Sequence, residues 1–330
     1  MTLNEVGKLA GVSRMTVSRY FNGGYVSEEN RKKIEAIVNE TGFRPSAQAK
    51  ALKTKKTNTI GVLISALESN FLVEIISKMT VELEEKGYQI VIMRYLQSKD
   101  LLIQQIYNLM ARGVDGLIVS LVVYDSEIEN VLANIPFPVV TFGSRGFDRI
   151  SGVVHDDCKG MYLLIDFLKK KGYTKIGFLG PSFAAQMSKV RVNATKDAMQ
   201  RYNLEIRENW FIECENEELS QLEQGQILAR KLYELESKPE VVIGASDQIA
   251  IGAIFMCERL GVKVPGEIGI CGYGNVEVGR FLNPALTTVD MNQVEIVDKV
   301  LNLLLEQINK NEKICKKEVV KPLLIKRDSI

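Results

Sequence analysis

Up to Gly42, apolar residues recur three or four positions apart. Val6, Leu9 and Ala10 form one group, Val17 with Tyr20 and Phe21 a second, and Ile34, Ile37 and Val38 a third. That spacing puts each group on one face of a helix. The residues between the groups read as caps and stops. Thr2-Leu3-Asn4-Glu5 is a capping box, in which Thr2 bonds the amide three residues on and Glu5 reaches back to the cap amide. Gly11 ends the first helix, since glycine takes positive φ cheaply. Ser13 caps the second helix, which runs through Phe21, and Asn22-Gly23-Gly24 is a turn. Ser27 caps the third, with Glu28 and Glu29 at its positive end, and Gly42 stops it. Helix, tight turn, helix, loop, helix is the pattern of a helix-turn-helix module.

From Thr59 the pattern changes to apolar runs alternating with amphipathic stretches. Strands are expected at 60–65, 89–95, 116–122, 138–142, 152–155, 175–179, 210–213, 240–245 and 268–273. Helices are expected at 71–86, 100–112, 157–171, 190–202, 220–235 and 247–260. Near-continuous Val/Ile strands bounded by helices predict parallel sheets covered on both faces. Two such units fit, divided near His155-Asp156. The predicted fold class is an N-terminal all-α helix-turn-helix domain joined to an α/β body of two doubly wound parallel-sheet subdomains.

Between the two patterns lies Pro45-Ser46-Ala47-Gln48-Ala49-Lys50-Ala51-Leu52-Lys53-Thr54-Lys55-Lys56-Thr57. Ala47 to Lys53 are strong helix formers, but the run is far below the ~12–15 residues that an isolated helix needs in water. It is expected to be helical only against DNA and a partner chain. Leu52 has no local core to join, and a leucine there can act as a wedge between base steps of a minor groove. A basic linker is the plainer alternative.

Charge sharpens this division. Residues 1–59 hold 11 Lys/Arg against 5 Glu, and the remainder holds 31 against 36 acids, within a chain of net charge +1. A basic head on a mildly acidic body is the asymmetry of a chain that docks one end on phosphate. With 330 residues and 46% hydrophobic composition there is ample material for about two domains. The five cysteines form no C-x-x-C pair, and with a single histidine no zinc set can be assembled. They read as small buried residues of a reducing compartment. No apolar signal region and no window of ~18 apolar residues appear, so a cytoplasmic protein without a membrane partner is expected.

In a helix-turn-helix, the second helix enters the major groove by its N-terminal end. Arg14 and Met15 then lead, with Ser18 and Arg19 one turn later on the same face. Arginine can bond guanine bidentately, and methionine can touch a thymine methyl. Thr16, Asn22 and Arg31-Lys32-Lys33 are better placed for phosphates. In the body, ligands of doubly wound folds sit beyond the carboxyl ends of the strands. The residues there are Ser69-Asn70-Phe71, Arg94, Ser120, Gly143-Ser144-Arg145, His155-Asp156-Asp157, Met187, Arg191, Ser246-Asp247, Tyr273-Gly274-Asn275 and Asp290-Met291. Hydroxyls, amides, acids and arginines in such loops suit a polyol or sugar, whose many OH groups need matched partners. His155 reads equally well as a pH-sensitive ligand contact or as a hydrogen-bonded structural histidine. Trp210 reads as core, and Lys169-Lys170-Lys171 as the solvated end of a helix.

The motifs Thr2-Leu3-Asn4-Glu5-Val6, Ala10-Gly11-Val12-Ser13, Thr16-Val17-Ser18-Arg19 and Gly42-Phe43-Arg44-Pro45 resemble those of the lactose-repressor family of bacterial transcriptional regulators. The resemblance runs through the whole chain, with Ser246-Asp247-Gln248-Ile249-Ala250-Ile251-Gly252-Ala253, Gly272-Tyr273 and Leu286-Thr287-Thr288-Val289 in the body. It implies base-reading positions at Arg14, Met15 and Arg19. It also implies a hinge helix over 46–54 with Leu52 intercalating and Ala49 and Lys53 at the DNA, and a homodimer on a pseudo-palindromic operator in double-stranded DNA. The body is implied to be periplasmic-binding-protein-like, with sugar-type effectors contacted by Phe71, Arg94, Ser120, Arg145, His155, Met187, Arg191, Ser246, Asp247, Gly274, Asn275 and Met291. Arg191 matches the arginine that grips ligand hydroxyls. The expected division is 1–57 for the head and 58–330 for the body. Within the body, 58–155 and 290–315 form one subdomain, and 156–289 with 316–330 the other. Gly143, Ser246 and Gly274 replace an acid, an asparagine and an aspartate common among sugar-binding members. Local matches around 14–21, 257–265 and 274–279 look like the gluconate-utilisation repressor branch, so a sugar acid or sugar phosphate is the expected effector.

Two other functions are weighed. A sugar-binding protein without a DNA role fits the body but not the head. An α/β carbohydrate enzyme lacks support, since no P-loop, Ser/His/Asp set or metal set is legible and Gly272-x-Gly274 is only a fragment of a dinucleotide motif. No catalytic residue, cofactor or metal is expected.

Overall fold

The computed structural model describes residues 1–44, 56–65, 70–143, 146–183, 186–216 and 218–330, with backbone alone at 70, 186 and 187. The 46–54 segment with Ala49, Leu52 and Lys53, together with Arg145 and the Met187 side chain, lies outside the described residues. The chain forms two compact units. One is Met1–Thr59 with Gly113–Asp115, and the other is Ile60–Arg112 with Gly116–Ile330.

The first unit contains α1 (Leu3–Ala10), α2 (Arg14–Phe21) and α3 (Glu28–Thr41). The capping box closes in both directions: the Thr2 N–H donates to Glu5 Oε2 at 2.7 Å, and the Glu5 N–H to Thr2 Oγ1 at 3.3 Å. The turn into α2 needs two glycines. Gly11 is left-handed (φ 63), and a Cβ on Gly7 would lie 2.9 Å from the Val12 carbonyl oxygen. Ser13 caps α2 by accepting the Thr16 N–H at 3.1 Å. Val6, Ala10, Val17, Val26, Ile34, Val38 and Phe43 make a small separate core. Two expectations fail here. Leu9 is exposed, because the face of α1 turned inward is carried by Val6, Gly7 and Ala10. Ser27 occupies the cap position of α3, but its side chain makes no cap bond.

The body begins with β1 (Thr59–Ile64), α4 (Asn70–Glu85), β2 (Gln89–Arg94), α5 (Lys99–Ala111), β3 (Gly116–Ser120), α6 (Ser126–Asn134), β4 (Val139–Gly143) and β5 (Ser151–His155). It continues with α7 (Asp157–Lys170), β6 (Ile176–Pro181), α8 (Gln186–Arg201), β7 (Phe211–Cys214), α9 (Gln221–Tyr233), β8 (Val241–Gly244), α10 (Asp247–Arg259), β9 (Gly269–Tyr273) and β10 (Thr287–Asp290). The remaining elements are α11 (Gln293–Lys310), β11 (Lys317–Val320) and β12 (Leu323–Ile325). Among the described residues there are two six-stranded sheets, ordered β11-β5-β4-β3-β1-β2 and β12-β10-β9-β8-β6-β7. The β1–β3, β3–β4 and β4–β5 pairs are parallel, as are β6–β7, β6–β8, β8–β9 and β9–β10. Only the β12 pairing with β10 runs antiparallel among the registers described. Each sheet therefore repeats the doubly wound order in which the second strand lies outside the first, and ligands bind where that order reverses.

The chain passes between sheets after His155, after Asp290 and after Val320. The last crossing corrects the expected boundary at 315/316. β11 pairs in parallel with β5, from Lys317↔Gly152 to Val320↔His155, so this strand belongs to the first sheet and only β12 returns to the second. Three short strands (β10, β11, β12) and two helices (α6, α11) were not foreseen as such. α11 packs on α4 and across β3, β4 and β5. Its buried face includes Ile296, Val300, Leu301, Leu304 and Ile308. Trp210 is fully buried and donates Nε1–H to the Ser237 carbonyl at 2.9 Å, as a core residue should. No helix among the described residues is long and apolar enough to cross a membrane.

Candidate DNA-reading face and effector site

The exposed face of α2 begins at its N-terminus. Arg14 is exposed, Met15 is 66% exposed, and Arg19 lies one turn on with Nη2 3.9 Å from Met15 Sδ. Val17 is the one fully buried residue of this helix, Tyr20 and Phe21 pack partly buried against the same core, and the polar remainder faces outward. Thr16 and Asn22 are partly occupied in shaping the helix. The Thr16 hydroxyl pairs with Ser13 Oγ at 2.9 Å, and Asn22 Nδ2 donates to the Ser18 carbonyl at 2.7 Å. In α3, Lys33 is drawn back to Glu29 at 2.7 Å and Arg31 lies over the Tyr20 ring at 5.8 Å. Tyr25 is not among the residues that the helix-turn-helix pattern marks for DNA. It is 88% exposed in the loop between α2 and α3, and its signal was an aromatic residue set after Gly23-Gly24 where no core could take it.

In the body, the ends of both sheets converge on one buried polar cluster. His155 ends β5 and Asp157 opens α7, two residues on across the first crossing. His155 Nε2 lies 3.3 Å from Asp157 Oδ2. From α8, Arg191 grips Asp157 Oδ1 with Nη2 at 3.0 Å and Nε at 3.1 Å, and donates Nη1–H to the Ala245 carbonyl at 2.6 Å. Its guanidinium stacks 4.0 Å from the centre of the Tyr273 ring and its Nη2 is 3.7 Å from Met291 Sδ. Phe71 meets His155 edge to face, with ring centres 6.2 Å apart. His155, Asp157, Arg191, Tyr273 and Met291 are all buried.

The electrostatics follow from this packing. Burial pushes the Asp157 carboxyl upward, but Arg191 and His155 beside it outweigh burial and hold it well below the usual range. Burial, and then the Asp157 charge, push the Tyr273 phenol well above its ordinary value. Three buried polar atoms in this cluster, His155 Nε2, Asp157 Oδ2 and the Tyr273 hydroxyl, have no hydrogen bond of good geometry among the described residues. Buried groups left in this state are costly unless something else satisfies them.

Other predicted residues serve different ends. Asp247 is almost wholly buried and accepts the Val276 N–H at 2.7 Å and the Thr288 hydroxyl at 2.5 Å, tying β9 to β10. Burial pushes its carboxyl up to about 6 despite these donors. Asn275 is spanned by Arg327 Nη2 at 2.6 Å on one side and Asp290 Oδ2 at 3.0 Å on the other. Ser246 caps α10 and pairs with Gln221 Oε1 at 2.5 Å. Their hydrogen-bonding capacity is largely spent within the second sheet and its helices. Ser120 is buried and its carbonyl accepts the Tyr95 hydroxyl at 2.6 Å, while Arg94 stands exposed at the end of edge strand β2. Gly143 and Gly274 are built as glycines. A Cβ at Gly143 would lie 2.7 Å from the Leu121 carbonyl oxygen, and Gly274 has φ +138. Asp157 and Tyr273 complete the cluster. Both stood among the strand-end residues, yet which of these face one another depends on how three crossings bring two sheets together.

A small helical head with a polar, cation-bearing second helix and a two-sheet body with a buried polar site define a DNA-binding regulator with a ligand-binding module. The comparisons with known proteins agree. Residues 2–46 match the model of bacterial regulatory proteins, lacI family, and residues 165–330 match the periplasmic binding protein-like domain. The HTH-type transcriptional repressor PurR of Actinobacillus pleuropneumoniae serotype 3 (strain JL03) is 31% identical over 310 residues, 93% of this chain and 91% of that protein. The ribose operon repressor of Haemophilus influenzae is 29% identical over 335 residues, 100% of this chain and 98% of that protein. The crystal structure of the Lac repressor bound to ONPG in its repressed state superposes with a TM-score of 0.84 at 24% identity, covering 100% of this chain and 99% of that one. The chain belongs to the lacI family of bacterial regulatory proteins, and it is a DNA-binding transcriptional regulator.

Proposed function

We propose that the chain is a repressor of carbohydrate-metabolism genes that works as a homodimer on a pseudo-palindromic operator. Residues 1–57 supply the reading head, with Arg14, Met15 and Arg19 on base edges and Thr16, Ser18 and Asn22 nearby. The 46–54 segment with Ala49, Leu52 and Lys53 supplies a hinge that folds on DNA. Large exposed apolar side chains at Phe255, Val278 and Phe281 support a second copy as the body's partner. The effector is a small polyhydroxylated molecule bound among Phe71, His155, Asp157, Arg191, Tyr273 and Met291. The observation that carries this is the grouping of three buried polar atoms from β5, α7 and β9, His155 Nε2, Asp157 Oδ2 and the Tyr273 hydroxyl, none with a hydrogen bond of good geometry among the described residues. A carboxylate oxygen, an imidazole nitrogen and a phenol together match hydroxyl groups, which donate and accept at once.

Within that class a sugar acid or sugar phosphate is favoured. The backbone admits no carboxylate at Gly143 or Gly274 without strain, and the local match to the gluconate-utilisation branch points the same way. Arg191 is held by Asp157, so an anionic group reaches the guanidinium only by exchanging with that carboxylate. A neutral sugar is the second reading. It leaves the ion pair in place and uses Asp157 Oδ2 as a hydroxyl acceptor.

A thermal-shift panel of sugars, sugar acids and sugar phosphates decides between them. Stabilisation confined to anionic ligands and lost in Arg191→Ala supports the first reading. Stabilisation by neutral sugars supports the second, and none by any member sinks the polyol assignment.

A further inference from the structure

The first unit ends on a feature, made by Thr57, Asn58 and the 113–115 segment, that neither DNA reading nor the effector cluster uses. Asp115 stands one residue before β3, and its carboxylate clasps two successive amides that precede β1. The Thr57 N–H donates to Oδ1 at 2.9 Å and the Asn58 N–H to Oδ2 at 2.8 Å. The Thr57 hydroxyl adds a contact to Oδ1 at 3.2 Å and donates to the Gly113 carbonyl at 2.8 Å. The Asp115 N–H in turn donates to the Thr59 carbonyl at 2.8 Å. Asn58 is left-handed (φ 51), a conformation that asparagine takes more readily than most side chains.

These bonds are more than the sheet requires. The β1–β3 register already begins at Ile60↔Gly116, so the clasp orders two further residues on the side away from the strands. That is the side on which the 46–54 segment joins. Charge-assisted bonds from one carboxylate to two consecutive amides are strong and directional, and they fix where the backbone points as well as where it sits.

We propose that Asp115 is a positioning residue for operator binding: its carboxylate fixes the path by which the hinge segment leaves β1, so that both hinges of a dimer arrive at the operator already aligned. The proposal rests on the hinge reading above. Ordering Thr57 and Asn58 before binding removes part of the entropy that the hinge otherwise loses on DNA, which raises specific affinity without adding a contact to it.

The test uses the full-length protein, a duplex that the wild type selects from a randomised pool, and a scrambled duplex of equal length. In D115A, affinity for the selected duplex should fall about tenfold or more, while affinity for the scrambled duplex and the thermal midpoint stay unchanged. D115N keeps one acceptor oxygen and should fall between, with faster exchange of the amide that loses its partner. If D115A lowers the thermal midpoint, the near-isosteric D115N alone is judged, by its ratio of selected to scrambled binding. Wild-type selectivity in both variants overturns the proposal. The double variant A49G/A51G, which weakens any helix over the hinge, separates the two premises. If it binds the selected duplex as tightly as wild type, the hinge reading fails and the proposal with it. If it binds weakly while the Asp115 variants bind normally, only the clasp is wrong.

Discussion

Arg14 and Arg19 are both arginines on one short helix, yet their surroundings differ. Arg19 lies against Met15, a methionine 66% exposed that has no role in the head's core. Arg14 sits at the first position of α2, directly after the Ser13 cap, and is exposed. A guanidinium at the leading end of a recognition helix is the group best shaped for two acceptors on a guanine edge. Arg14→Ala should therefore cost about 1–3 kcal/mol at the selected duplex and relax base preference at one position in each half-site. Binding measured against a set of single-base variants checks this. An equal loss on every sequence would mark Arg14 as a phosphate contact. The same distinction separates residues in the body. Asp247 and Asn275 carry sugar-binding chemistry by type, but their partners are Val276, Thr288, Arg327 and Asp290, and those bonds brace the sheet. Asp157 is the residue whose second oxygen faces His155 Nε2 at 3.3 Å without a hydrogen bond of good geometry.

At the scale of elements, α9 and α10 pack backbone to backbone, with glycines facing each other. A Cβ on Gly225 would lie 2.2 Å from the Ile249 carbonyl oxygen, and one on Gly252 would lie 2.1 Å from that of Leu222. Backbone sits on backbone here, so no side chain can swing aside. Gly252→Ala must push the helices apart and should destabilise the protein by about 1–3 kcal/mol, read from urea unfolding midpoints. An unchanged midpoint would mean the pair is looser than this geometry. The glycine pair shows what pattern alone does not carry. Periodicity locates α9 and α10, since each keeps an apolar stripe, but it does not say which helices touch. The same limit explains the missed elements. β10, β11 and β12 have three or four residues each, too short for alternation to stand out, and Lys317-Glu318-Val319-Val320 is polar because β11 is an edge strand. α6 and α11 carry a clear apolar stripe, so their periodicity is legible in the sequence even though neither stands among the expected helices. The long strands and the capped helices of the head were legible because burial on both faces and capping chemistry leave local marks. Arg191 is legible as a residue following a strand and through its match to the arginine that the family resemblance implies. Its partner Asp157 was not singled out, because the pairing is made by the crossing after His155 and by α8 lying beside α7.

At the scale of the molecule, the head and body hold separate cores. The head's core draws on residues from Val6 to Phe43, and two clusters of the body core among the described residues begin at Ile60 and Leu179. Neither of these clusters uses a side chain before Ile60, so a chain starting at Asn58 should keep its ligand site while losing specific DNA binding. Communication between the sites then has a thermodynamic signature that separate folding alone does not produce. If a ligand changes operator affinity by some factor, bound operator must change ligand affinity by the same factor. The ligand can act only through its difference in affinity between the DNA-bound and free states, however tightly it binds. For a factor of ten the coupling is about 1.4 kcal/mol, well within calorimetric reach. With the best ligand from the thermal-shift panel, titration into full-length protein should give a dissociation constant that shifts when the selected duplex is saturating. The shift should equal the one that saturating ligand imposes on duplex binding. In the chain starting at Asn58 the duplex should leave ligand affinity untouched. Unequal factors in the full-length protein would mean that a third component takes part. A duplex effect that persists in the shortened chain would place DNA contacts on the body and undo the division of labour between head and cluster.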